Sequence, residues 1–349
     1  MQQWLKEVAR GKRGSKDLDY QQTKEVAQSI IHGEATDAQI AAYLIALRLK
    51  TESPEELLAF VHVFSEHSEK VEMSQQPIID LASPYNGRNT FMGSIPAAIL
   101  MAEQGLPVFL HGSDALPPKY GIAMKDILSL LGVDISQNAV SLTKTITKAG
   151  IAFASTEEYC DSLRKLRKIR KELGVRTLLN TVEKLLNLAN AESLLMGAFH
   201  RTAINKIAPI FKGLSYKNVY VVQGMEGSED LPVHRNSFIY KITDNEIDSF
   251  IVKPEEFGLS APEMEKDVKL TAKEQSEITM AILSGEKSKI LQYYTNQVVF
   301  NTGLRFYLFG AAQSIGEGIE IVKEQLKEQK GLRQLEKWKT IQIKNIHTQ

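Results

Sequence analysis

From Ile78 onward the chain alternates short, almost wholly apolar runs with helical stretches, and that alternation leaves few folds open. The runs are Pro77-Ile78-Ile79-Asp80-Leu81, Pro107-Val108-Phe109-Leu110, Ile151-Ala152-Phe153-Ala154 and Asn218-Val219-Tyr220-Val221-Val222. Strands buried on both faces read this way, and they occur in largely parallel sheets covered by helices. Before them, Met1 to about Val71 reads as helix alone. Asp19 caps a helix that stops near Gly33, and Thr36 caps a second carrying Ile40, Tyr43, Leu44 and Leu47. Ser53-Pro54-Glu55-Glu56 opens a third, with proline in its first turn and acids at the positive end of the dipole. One further helical stretch is expected over about Lys289 to Lys327, including Gly310-Ala311-Ala312. The expected class is α/β, with a small all-helical domain at residues 1–72, joined by helices within about 162–190. Residues 73–161 and 191–349 form the expected large domain, a mainly parallel central sheet with flanking helices.

The 349 residues suffice for one large domain and a smaller one. Forty-two cations balance 42 acids, so no whole-molecule field draws the chain to nucleic acid or membrane; such binding needs local clustering. The lone Cys160 excludes an intramolecular disulfide and suits a reducing compartment. Trp4, Lys6, Glu7 and Arg10 make no secretory signal, and no run reaches the roughly 20 apolar residues that cross a bilayer. A cytoplasmic protein without a membrane partner is expected.

The segment Asp80 to Phe91 has the layout of a phosphate site: strand, tight loop, then a small-residue helix with Ser94, Ala97, Ala98 and Ala102. Loops that wrap a diphosphate use glycines so that main-chain amides approach closely. Here Gly87 stands beside Pro84 and Tyr85. Those two residues are expected to obstruct the amides.

The stretch from Asp19 through Gly33-Glu34-Ala35-Thr36 to Arg48-Leu49-Lys50, with Lys171-Glu172-Leu173-Gly174-Val175-Arg176-Thr177-Leu178-Leu179-Asn180, resembles anthranilate phosphoribosyltransferases in order. The resemblance extends over nearly the whole chain. It implies a homodimer formed through the helical domain, a ribose-pyrophosphate donor with magnesium on the large domain, and an acceptor entering from the helical side. The family's glycine-rich loop corresponds to Ser83-Pro84-Tyr85-Asn86-Gly87-Arg88, one residue shorter, and Asn89-Thr90-Phe91 after it matches. A Lys-His-Gly-Asn turn appears as Leu110-His111-Gly112-Ser113, so an apolar residue stands where a cation would meet phosphate. The resemblance thereby makes Ser83, Asn86, Gly87, Arg88, Asn89, Thr90, His111, Gly112 and Ser113 the donor-side candidates. It puts Cys160 and Arg176 on the acceptor side, and Ser94, Glu229 and Asp230 around a metal, while Met92 and Ile95 replace polar neighbours and Glu183-Lys184 replaces a Gly-Pro. Each charge-assisted phosphate contact is worth about 1.5–3 kcal/mol, so losing one lysine and several amides would weaken donor binding by orders of magnitude. The Ser-Pro-Tyr-Asn-Gly loop, with Gly11-Lys12 and Asp17-Leu18-Asp19, is similar to a divergent branch whose members remain dimers and bind nucleic acid.

Two basic clusters fit that branch. Arg164, Lys165, Arg167, Lys168, Arg170 and Lys171 crowd one helix, and Lys12 and Arg13 lie near Lys6, Arg10 and Lys16. Like charges at helical spacings repel, so an anionic partner or neighbouring acids must compensate them. Acids concentrate between Glu226 and Asp267, as if the two signs were separated across the molecule. The leading expectation is a homodimeric nucleic-acid-binding protein that requires no cofactor. The alternative is a magnesium-dependent phosphoribosyltransferase acting on an aromatic or heterocyclic acceptor, in which Ser94, Glu229 and Asp230 hold magnesium and Arg88 and His111 assist. A structural role remains open for His111, which lacks an assignable acidic partner, and an acidic turn for Glu229-Asp230.

Overall fold

In the computed structural model of the protein, the described residues are 1–346 without 12, 73–76, 83–84, 199–203, 205–206, 244–245 and 264–267. Lys12 and Ser83 therefore lie outside the described residues. Four helices lead: α1 (Gln2–Val8), α2 (Tyr20–Ile31), α3 (Asp37–Lys50) and α4 (Pro54–Glu66). The caps named from sequence do their work. Asp19 pairs with Gln22, Thr36 with Gln39 and Ser53 with Glu56 in reciprocal capping boxes. Glu56 is wholly buried, and it also accepts from the Leu18 amide and from Lys50.

The sheet is formed by β1 (Ile79–Ala82), β2 (Val108–Gly112), β3 (Ile151–Ser155), β4 (Ser193–Gly197), β5 (Asn218–Val222), β6 (Ser237–Ile242) and β7 (Ile247–Val252). Its order is β3-β2-β1-β4-β5-β6-β7. The first five of these in space are parallel, and β6 and β7 add an antiparallel margin. Around it pack α5 (Ser94–Glu103), α6 (Met124–Leu130), α7 (Ala139–Ala149), α8 (Thr156–Tyr159), α9 (Asp161–Leu173) and α10 (Leu179–Val182). Four helices close the described chain: α11 (Ala272–Leu283), α12 (Gln292–Leu308), α13 (Ile315–Lys327) and α14 (Lys330–Ile346). One face of the sheet shares a core with the leading helices, including Tyr43, Phe60, Phe64, Phe109 and Leu163. The other face packs on α5 and the closing helices, with Phe153, Phe300 and Trp338 inside. Helix α9 touches α3, and α10 touches α4.

The single helical stretch expected over about 289–327 is two helices. The chain breaks at 309–314, where Gly310 takes φ +78°, a conformation that favours glycine. The break lets α12 and α13 cross closely: a Cβ on Gly318 would lie 2.3 Å from the Gly303 carbonyl oxygen. Small residues here permit a helix crossing, which periodicity does not distinguish from a continuous helix.

Strands β1 and β4 are neighbours whose onward connections run in opposite directions, to β2 and to β5, and this opens a crevice at the C-terminal strand ends. The loops after β1 and β5 meet there. Gly197, at the end of β4, lets the second loop pass: a Cβ on it would lie 1.9 Å from the Ser228 carbonyl oxygen.

Candidate functional site

The site is assembled around Asp230. Its carboxylate accepts from the Ser94 amide at 3.0 Å and hydroxyl at 3.1 Å, at the N-terminus of α5. Arg88 pairs with the same oxygen, and Arg305 of α12 donates to the other at 3.0 Å. Arg88, Arg305 and Asp230 are all at most 1% exposed. Ion pairs this deep hold because charge, hydrogen bonds and helix dipole act together. The guanidinium of Arg88, a donor-side candidate by resemblance, holds Asp230, Ser228 and Thr90.

The loop main chain is engaged too, through carbonyls at Tyr85 and Asn86 and amides at Arg88, Asn89 and Thr90; Pro84, expected to obstruct the amides, lies outside the described residues. Tyr85 is buried and its carbonyl accepts from Leu116, while Asn86 accepts from Gly121. Arg88 and Ile122 exchange main-chain hydrogen bonds at 2.9 and 2.8 Å, so segment 116–122 lies against the loop. Gly87 (φ +67°) and Gly121 permit this, since a Cβ on Gly87 would come within 2.4 Å of Gly121. Asn89 and Thr90 direct their amides at Glu226.

Glu229, beside Asp230, is 1% exposed and neither carboxylate oxygen meets a hydrogen-bond donor at ordinary distance. Burial and the neighbouring Asp230 charge raise its pKa. Across from it, Lys184 donates to the Gly227 carbonyl at 3.3 Å, and burial lowers its pKa to about 8. Among the described residues no group of three or more His, Cys, Asp or Glu could hold a metal. The oxygen set Ser94, Glu229 and Asp230 nevertheless fits a hard cation such as magnesium, which takes one or two carboxylates and completes its shell from water or phosphate. The bare oxygens of Glu229 are the observation that supports the fit.

On the helical side of β1, His111 Nε2 lies 3.1 Å from Asp80 Oδ1, and the Tyr216 hydroxyl donates to Asp80 Oδ2 at 2.9 Å. His111 therefore has the acidic partner that the sequence did not reveal, and it is buried rather than open to the crevice. Burial pushes its pKa down, but Asp80, with help from Glu183, lifts it above 6.5. Gly112 ends β2, and Ser113 beyond it donates to Glu183, which also pairs with Arg170 at 2.7 Å. Arg170 is thus an interior residue, against its expected place on a nucleic-acid-binding face. Arg167 is mostly covered and pairs with Glu157 and Asp114. The cations facing out of α9 are Arg164, Lys165, Lys168 and Lys171. Asp161 neutralises the first two, and Glu172 lies 3.9 Å from Lys168. Arg13 is exposed, and in its cluster Arg10 and Lys16 share Glu7. Cys160 is buried with its thiol pKa raised, so it packs. Arg176 stacks over the Tyr85 ring at 5.6 Å.

Sequence reasoning missed Asp80, Lys119, Glu183, Lys184, Glu226 and Arg305 as members of the site. Asp80, a charge inside an apolar strand, was a readable sign of a buried pair. Nothing local marks Lys119 or Arg305.

A helical bundle joined to an α/β domain, with an anion-holding turn at the topological switch point, describes a class of sugar-transferring proteins. The chain belongs to the glycosyl transferase family: its a/b domain matches residues 77–332 and its helical bundle domain matches residues 2–68. It is 31% identical over 326 residues to the anthranilate phosphoribosyltransferase of Caldicellulosiruptor saccharolyticus, covering 93% of this chain and 94% of the relative. The enzyme of that name from Endomicrobium trichonymphae is 30% identical over 322 residues, covering 92% and 94%. Among solved structures, anthranilate phosphoribosyltransferase from Thermus thermophilus superposes with a TM-score of 0.82 at 25% identity, covering 97% of this chain and 98% of that one. The Saccharomyces cerevisiae structure in complex with PRPP and Mg has the same fold, with a TM-score of 0.82 at 22% identity and 98% of each chain covered. In this chain no helix among the described residues is long and apolar enough to cross a membrane.

The raised pKa of His111 gives a pH signature. A protonated His111 contributes stability in full below about pH 6.5, and the contribution is lost as pH rises through the folded-state value. Replacing His111 by Gln strands a buried Asp80 and is expected to cost about 3 kcal/mol at pH 6. Urea unfolding of both proteins from pH 6 to 9 is expected to show that difference shrinking with pH; a constant difference refutes the charged pair.

Proposed function

We propose that this protein is a magnesium-dependent phosphoribosyltransferase acting on an aromatic or heterocyclic acceptor, with a donor site closed at rest by its own ion pairs. The observation that carries the reading is the buried Glu229 carboxylate, whose oxygens lack a well-formed hydrogen bond although Ser94 and Asp230 stand beside it at the strand ends. The family, the curated relatives and this oxygen set support it. Magnesium, when bound, supplies the positive charge that neutralises a diphosphate. Ser94, Glu229 and Asp230 are the residues to hold it. Arg88 releases Asp230 on loading and turns to the donor phosphates, a geometry suited to guanidinium. Lys184, whose pKa burial lowers to about 8, stands across from Glu229, while Arg176 over Tyr85 orients an acceptor from the helical side. Calorimetry with phosphoribosyl pyrophosphate and magnesium is expected to give a saturable heat that falls at least tenfold in affinity in Glu229→Gln. Silence with the unaltered protein overturns the reading.

A second reading, nucleic-acid binding, rests on the outward row Arg164, Lys165, Lys168 and Lys171 on α9. Its ion pairs with Asp161 and Glu172 are solvent-exposed and screened, so phosphates can displace those acids. Binding of a single-stranded oligonucleotide, followed by fluorescence anisotropy, is then expected to weaken steeply with salt. Replacing the four cations by Ala reduces that slope if they meet the backbone; an unchanged slope removes them from the interface.

The partner expected in either case is a second copy, docked through the helical domain. An apolar groove of about 530 Å³ runs between α1 and α3, lined by Val8, Ala9, Ala42, Ile45, Ala46 and Leu49. Leu49 is 79% exposed there. Light scattering is expected to find a dimer that Leu49→Asp splits into folded monomers, and a monomeric unaltered protein sinks this proposal.

A further inference from the structure

Glu226 is held in an unusual way for an acid beside a crevice. It sits at φ +53° in the short turn after β5, a backbone conformation that a non-glycine residue adopts at a cost and keeps only when its contacts enforce it. Those contacts all converge on the carboxylate. Oε1 accepts from the Thr90 amide at 2.9 Å, the Thr90 hydroxyl at 2.6 Å and the Asn89 amide at 3.2 Å. Oε2 accepts from the Asn89 amide at 3.3 Å and pairs with Lys119. The Arg88 guanidinium donates to the same Thr90 hydroxyl at 3.0 Å and adds its field. Burial opposes the charge, but these donors outweigh it and draw the pKa down to about 2, so the carboxylate is ionised at any working pH.

Two successive amides, a hydroxyl, an ammonium and a nearby guanidinium are a donor set for a tetrahedral oxyanion, in excess of what one side-chain carboxylate requires. The occupant comes from a residue more than 130 positions away, on a strained turn. We propose that Glu226 is a built-in competitor: its carboxylate occupies the donors of the Asn89–Thr90 turn and Lys119 until a phosphate or diphosphate group displaces it. The inference deepens the transferase reading and rests on it for the nature of the ligand. The occlusion itself is a property of this chain's own residues.

Its test uses inorganic pyrophosphate without magnesium or sugar, at fixed ionic strength and pH 7.5, so that failure of transferase activity leaves the result readable. Glu226→Ala is expected to bind pyrophosphate at least tenfold more tightly than the unaltered protein by calorimetry. Glu226→Gln, which keeps the shape and removes the charge, is expected to gain in the same direction and serves if the alanine variant fails to fold. Adding Thr90→Val and Lys119→Ala to either variant is expected to abolish the gain. Equal affinity in the unaltered and variant proteins overturns the proposal, as does a gain that survives loss of Thr90 and Lys119. If the variants gain pyrophosphate but the unaltered protein never takes phosphoribosyl pyrophosphate, the competitor role stands and the transferase reading falls.

Discussion

The structure at the strand ends depends on one buried carboxylate held between two guanidiniums. Asp230 draws Arg88 from the loop after β1, Arg305 from the last turn of α12 and the N-terminus of α5 onto a single point. Removing Asp230 would leave two buried guanidiniums without their counter-ion, at a penalty of about 3–5 kcal/mol, so this carboxylate ties the three segments to each other. That lock fixes where the neighbouring groups stand. Ser94 faces Asp230 because it begins α5, and Glu229 is left bare because the adjacent cations point elsewhere.

Around this point the site has turned its polar groups inward. Loop amides that a phosphate loop leaves free bond Ile122 or Glu226, and Lys119, Arg88 and Arg170 each hold an acid of this chain. A site organised in this way is pre-built but self-satisfied. Ligand must compete with internal partners, and the differential binding energy decides whether it opens. Glu229 and Lys184, the latter a buried cation whose pKa falls to about 8, are the groups least satisfied by the closed arrangement, so any ligand gains most by reaching them.

The basic helix illustrates how a sequence pattern divides once it is folded. Of the six cations between 164 and 171, Arg170 enters the interior, Arg167 is largely covered, and four remain outside. Spacing located the helix and its apolar stripe, but it could not tell which cation would turn toward Glu183, a residue on the next segment.

Much of the fold was written locally. The capping boxes at Asp19, Thr36 and Ser53 and the apolar strand runs depend on residues a few positions apart, so the helical opening and the parallel sheet could be read directly. Ser94, Glu229 and Asp230 were legible as a group only through resemblance, and Arg88 was visible without its purpose. Their arrangement is a long-range matter. Asp80 meets Tyr216, Arg88 meets Asp230 and Glu226 meets Thr90 across more than 130 residues of chain. Local chemistry decided which segments become helix or strand, because propensity, capping and periodicity act over a turn or two. Only tertiary packing decided which charges neutralise each other, because in a dry interior the partner brought nearest by the fold sets the energy of each.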